Sequence, residues 1–210
     1  NNLLVIVVDN SPNDFVYPQV ADFTFYGGIY RDVSLIGVNR KHFDLDYFGA
    51  PGIKITPTVC GKDAKVEVQA FCEGEVEFSI LADGKEIATK SVSGHNPIAV
   101  LDIQDVRLWN GRKDPYLYTM VAKLVCDGEV ADEVSARFGC RFFEIDPQRG
   151  FLLNGKEYSL RGVSRHQDRP GIGNAISKED HKEDVDLICE VGANTVRLAY
   201  FQTNYAGMFG

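Results

Sequence analysis

The chain has 210 residues, 44% hydrophobic and 25% charged, values ordinary for a globular protein and long enough for one or two domains with a buried core. Its 22 basic and 30 acidic residues give a net charge of −8, which opposes non-specific binding to nucleic acid or anionic membrane. No apolar run approaches the roughly 18 residues needed to span a bilayer, and the five cysteines (Cys60, Cys72, Cys126, Cys140 and Cys189) have no CxxC spacing, so they read as reduced thiols and not as a metal cluster or disulfide framework.

The opening stretch has neither a basic leader nor a small-residue cleavage site. It reads as a strand, Leu3 to Val8, entered in mid-domain, which leaves localisation open between cytoplasm, periplasm and exterior. Turn formers from Asp9 to Asp14 stop it, and an aromatic-rich loop runs from Phe15 to Tyr26. After Gly27-Gly28 a second strand is predicted over Ile29 to Ile36. Two strands are too few for an independent domain, so the remainder is expected upstream.

From about Phe48 to Phe138 the pattern is all-β. Val66, Val68, Ala70 and Cys72 alternate with Lys65, Glu67, Gln69 and Phe71, and Val76, Phe78, Ile80 and Ala82 repeat that period of two. Asp83-Gly84 and Asp127-Gly128 are hairpin turns, and further strands are predicted over Ile98 to Ile103, Tyr116 to Val125 and Glu129 to Phe138. Strands at this spacing indicate an immunoglobulin-like sandwich. The lone tryptophan, Trp109, sits in a turn segment and is expected to pack against one end of it.

Beyond Asp146 the character changes. Asn154-Gly155 marks a third hairpin, Tyr158 to Val163 a strand, and Ser164 to Ile176 a polar loop. Ser177-Lys178-Glu179-Asp180 is a capping box. It opens a helix to Val191 with Val185, Ile188, Cys189 and Val191 as the buried stripe and Gly192 as its stop. Asn194 to Ala199 is the next strand. This is a βαβ unit with parallel strands, too short for a (β/α)8 barrel of about 250 residues. In such barrels reactive groups stand at the C-terminal strand ends, here Arg165, His166 and Asp168 after the first strand and Tyr200 to Asn204 after the second.

Three stretches carry a resemblance. Asp22-Phe23-Thr24-Phe25-Tyr26-Gly27-Gly28-Ile29-Tyr30-Arg31-Asp32-Val33 is similar to the end of a sugar-binding jelly-roll. Pro115-Tyr116-Leu117-Tyr118 with Phe138-Gly139-Cys140-Arg141 resembles the last strands of a sandwich and its exit. Phe151 to Lys156, Leu160 to Asp168 and Gly192 to Arg197 together resemble a barrel opening. In this order they resemble the family-2 glycoside hydrolases, above all their β-galactosidase branch, with β-glucuronidase and β-mannosidase as alternatives.

The resemblance implies a mainly β chain in three parts. These are residues 1–46, the end of a jelly-roll; 47–141, an immunoglobulin-like β-sandwich; and 142–210, the first βαβ unit of a TIM barrel. It implies that His166 contacts the sugar and that Asp22 binds sugar hydroxyls and a sodium ion, with magnesium a further ion of the whole protein. Tyr200 stands where the family has a substrate-binding histidine. Tyrosine keeps a hydroxyl but cannot be a cation near neutral pH. Arg31, Arg161 and Arg197 are expected to be structural ion-pair partners. The family's two catalytic glutamates follow the fourth and seventh barrel strands. Asp168, Glu179 and Asp184 match neither, so this chain by itself is expected not to hydrolyse a glycoside. The implied partner is a terminal β-linked sugar, and a homo-oligomeric whole protein is compatible with the resemblance. A competing reading is a non-catalytic module that positions neighbouring domains or binds sugar weakly.

Overall fold

The structure, a computed structural model, describes residues 3–15 and 24–198. It is mainly β and divides into two compact units. The described residues of Asn1–Leu35 and Arg161–Met208 form one, and Ile36–Leu160 form the other.

The second unit is built on seven strands: β1 (Ile53–Cys60), β2 (Asp63–Ala70), β3 (Glu73–Ala82), β4 (Lys85–His95), β5 (Ile98–Ile103), β6 (Tyr118–Cys126) and β7 (Glu129–Phe138). They form two antiparallel sheets, ordered β1-β2-β5 and β4-β3-β6-β7. The period of two decides what lies inside. Val66, Val68 and Ala70 of β2 are buried in one cluster with Val76, Phe78 and Ile80 of β3 and Met120, Ala122 and Leu124 of β6. Removing each of the larger of these side chains from water stabilises the fold by about 1.5–3 kcal/mol. The alternation ends at Ala70: Cys72 lies past the strand and is only half-buried.

The polar sequence of β4 fits its place at a sheet edge, where charged side chains such as Lys85, Glu86 and Lys90 discourage pairing with other chains. β1 occupies another edge and so tolerates Pro57, which has no N–H to give to a ladder. All three predicted hairpin turns form. In each, both central residues take positive φ, as at Asp83 (50°) and Gly84 (77°), the twist that matches two-residue hairpins.

The chain leaves β7 past Trp109. The Trp109 N–H donates to Cys140 O at 2.9 Å, and the Arg141 guanidinium lies 4.9 Å from the centroid of the indole. A short antiparallel meander follows: β8 (Phe143–Asp146), β9 (Gly150–Leu153) and β10 (Lys156–Glu157). Asn154 does more there than allow a turn. Its amide donates to Trp109 O (2.9 Å) and Asn110 Oδ1 (2.8 Å), and its Oδ1 accepts from Phe142 N at 3.0 Å, tying the meander to the exit of the sandwich.

The first unit contains β11 (Gly162–Arg165), α1 (Lys178–Glu190) and β12 (Thr195–Leu198), with β11 and β12 parallel. The capping box is complete: Ser177 Oγ accepts from Asp180 N at 3.2 Å, and Asp180 Oδ2 accepts from Ser177 N at 2.8 Å. At the other end Gly192 N donates to Cys189 O (3.0 Å) and Ala193 N to Ile188 O (3.2 Å), the paired bonds of a Schellman stop.

Several expectations need correction. The first barrel strand runs from Gly162 to Arg165 and not from Tyr158 to Val163, because its register is set by pairing with Thr195–Leu198. Val191 is 77% exposed, since it is the residue that ends the helix, and His181, fully buried, completes the inner stripe with Val185, Ile188 and Cys189. Leu3 to Val8 and Ile29 to Ile36 are not strands. A strand exists only through hydrogen bonds to a neighbour, neither segment pairs among the described residues, and their apolar side chains stay exposed (Leu3 at 89%). Among the described residues no helix is long and apolar enough to cross a membrane.

Candidate functional site

The connection that leaves β11 carries the sequence's candidate residues. Strand alternation turns Arg165 inward, where it is buried, and leaves His166 exposed at the strand's C-terminal end. Gln167 is buried again and Asp168 exposed. His166 is thus presented where barrel folds place reactive groups. Arg165, expected beside it in the same role, is instead an internal strut, because a buried guanidinium must find acceptors.

It finds them on α1. Arg165 Nε and Nη2 donate to Asp184 Oδ2 at 3.0 and 2.5 Å, and Nη2 also donates to His181 Nδ1 at 2.8 Å. A guanidinium has only donors, so His181 Nδ1 must be an acceptor and the ring proton sits on Nε2. Burial, with the positive charges of Arg165 and then Arg31, pushes the His181 pKa below the ordinary histidine value. Both arguments make His181 neutral at physiological pH.

Arg169 fastens the next part of the connection. Its guanidinium meets Asp180 at 2.9 Å, Glu183 at 2.5 Å and, more distantly, Asp184 at 3.9 Å. The Ser177 N–H, above other causes, holds the Asp180 carboxyl below its usual range, and Arg169 adds to that. Asp180 and Glu179 lie in the first turn of the helix, where negative charge is favoured. The loop closes on itself through Arg169 and Gly173, which exchange backbone bonds of 3.1 and 2.8 Å.

The N-terminal segment of the same unit touches this loop. Tyr26 Oη donates to Asp168 Oδ1 at 3.0 Å, and Arg31 donates to Asn174 O at 2.5 Å and to Gln167 Oε1. The bonds seen for Arg161 and Arg197 are to neutral acceptors, Gly192 O at 3.0 Å and Ser164 Oγ at 3.4 Å, where ion pairs were expected. Asp22 and Tyr200 lie outside the described residues, so of the three predicted sugar contacts only His166 is placed. Sequence reasoning missed His181. Its spacing of four from Val185 and seven from Ile188 was the sign that it shares their buried face. Among the described residues no group of three or more His, Cys, Asp or Glu could hold a metal ion.

An exposed imidazole on a loop braced from two sides is suited to bonding the hydroxyls of a polar ligand. Comparisons with known proteins bear on which ligand. The family description "Glycosyl hydrolases family 2" matches residues 51–141, and "Glycosyl hydrolases family 2, TIM barrel domain" matches residues 144–206. The chain is 38% identical to a β-glucuronidase of Bacteroides fragilis, over 95% of this chain and 31% of that protein. It is 30% identical to a β-galactosidase of Thermoanaerobacter pseudethanolicus, over 95% of this chain and 28% of that one. Among solved structures, an FMN-binding β-glucuronidase from Faecalibacterium prausnitzii superposes with a TM-score of 0.88 at 42% identity, covering 95% of this chain and 32% of that one. The chain therefore spans about a third of the length of the curated relatives it matches. With its sandwich and its barrel opening both matched in order, it belongs to family 2 of the glycosyl hydrolases.

Proposed function

We propose that the whole protein is a retaining exo-β-glycosidase acting on terminal β-glucuronides, and that this chain supplies its sandwich and the opening of its barrel. The observation that carries the choice of sugar is the higher identity to β-glucuronidases, 38% and 42%, than to β-galactosidases, 30% and, for a putative one, 35%. The sequence motifs favoured a β-galactosidase, and that stands as the second reading, supported by relatives of that name.

Retaining hydrolysis proceeds by double displacement between two carboxyl groups about 5–5.5 Å apart, one the nucleophile and the other the acid and base. In this proposal both carboxyls come from barrel strands beyond this chain. His166 contributes hydrogen bonds to sugar hydroxyls, joined by Asp22 and Tyr200. A sodium ion held by Asp22, and magnesium elsewhere, belong to the same proposal, as does a homo-oligomeric whole protein. Tyr200, in place of the family's histidine, supplies a hydroxyl and no charge, so a glucuronide carboxylate must be met by other groups. The test is a set of initial rates for the whole protein on para-nitrophenyl β-glucuronide, β-galactoside and β-mannoside. The glucuronide is expected to show the highest kcat/KM. A galactoside preference would select the second reading, and no turnover of any would leave only the non-catalytic module.

A further inference from the structure

We propose that Tyr26 and Arg31 are positioning residues: together they strap the β11–α1 connection and fix the place of His166. The proposal rests on the reading of His166 as a sugar contact. The connection is a doubled-back loop whose arms meet at the Arg169–Gly173 backbone pair. Helix α1 holds one side of it, through Arg165 and Arg169. The two side chains from the N-terminal segment hold both arms at once.

On the outgoing arm, Tyr26 Oη donates to Asp168 Oδ1 at 3.0 Å and Arg31 Nη2 donates to Gln167 Oε1. On the returning arm, Arg31 Nη1 donates to Asn174 O at 2.5 Å, and the Tyr26 ring lies against Gly173. That contact is close enough that a Cβ on Gly173 would sit 2.7 Å from the ring, and Gly173 has a φ of 54°, so both space and backbone call for glycine. Arg31 is further held by its own Tyr30 O at 2.8 Å.

Three features point to positioning. The bonds reach Gln167 and Asp168, the two residues directly after His166, so the imidazole's backbone is fixed from its C-terminal side while β11 fixes it from the other. Arg31 uses two nitrogens of a rigid fork on acceptors of opposite arms, which the single ammonium of lysine cannot reproduce. A loop ordered before the sugar arrives loses less freedom on binding it.

The test uses the whole protein with Tyr26→Phe, which keeps the ring over Gly173 and removes only the hydroxyl, and Arg31→Lys, which keeps the charge. Amide hydrogen exchange over residues 166–176 is expected to rise about tenfold in each, the scale of one lost hydrogen bond, while β2, β3 and β6 keep their protection. On para-nitrophenyl β-glucuronide, or whichever of the three glycosides is turned over, KM is expected to rise several-fold with kcat little changed. In a His166→Ala background, Tyr26→Phe should still speed exchange but add nothing to KM. Unchanged exchange in both variants would overturn the strap, and so would KM effects that simply multiply with His166→Ala. If His166→Ala alone leaves KM unaltered, the reading of His166 fails, and the exchange rates still decide the strap.

Discussion

At the scale of single residues, the pairing of Arg165 with a neutral His181 makes a pH prediction whose sign is fixed. His181 meets Arg165 from β11, the charge of Arg31, and Asp180 and Asp184 on its own helix. Its folded pKa lies below the ordinary value of about 6.5, so below that pH the unfolded chain takes up a proton that the folded one resists. The stabilisation is complete above that value and is lost progressively as pH falls from it through the lower folded pKa. Urea unfolding of the chain between about pH 8 and pH 5 should show a falling midpoint, and His181→Gln, which cannot titrate, should flatten the fall. A second test concerns the thiols. Burial, helped by Asp132, raises Cys72 to about 11, and burial alone raises Cys140 to about 11, whereas Cys60 is exposed. Alkylation at mildly alkaline pH, followed by mass spectrometry, should mark Cys60 first and Cys140 only on unfolding. These residues also show the limit of reading a site from a chain of letters. Barrel logic placed His166 past the first strand, and it stays there although that strand ends at Arg165 and not at Val163. It misjudged Arg165, one position earlier, because side-chain direction depends on a register set by β12, more than 30 residues away.

At the scale of elements, the ends of α1 are each fixed by a few atoms, so they can be tested singly. Ser177→Ala removes the capping bond to Asp180 and should cost about 1 kcal/mol of stability; Gly192→Ala forces a Cβ into a positive φ and should cost about as much. In the sandwich, Phe78→Ala should cost about 3–5 kcal/mol, because the ring is wholly buried between sheets that cannot collapse onto the space. Denaturant midpoints at constant slope check all three. The elements most legible in the sequence were those whose evidence is local: β5 and β7 fall on their predicted residues, the three hairpin turns form, and so do the capping box and the Gly192 stop of α1. β4 was harder, since an edge strand buries little and its alternation is faint. Leu3 to Val8 failed for the opposite reason: its composition suits a strand, but composition cannot supply the neighbouring strand that a ladder requires.

At the scale of the whole molecule, the chain joins one self-contained sandwich to a βαβ unit that brings a loop and one exposed histidine to a strand end. Because the family resemblance places both catalytic glutamates on later barrel strands, the 210-residue chain alone is expected to give no turnover above background on aryl glycosides. Family membership supplies the expectation that catalysis comes from further barrel strands. The most direct measurement is proton NMR of the whole protein hydrolysing para-nitrophenyl β-glucuronide, following which anomer of the free sugar appears first. Double displacement at the barrel predicts the β-anomer, with the α-anomer growing in only by mutarotation. First appearance of the α-anomer, or no hydrolysis at all, would contradict the account.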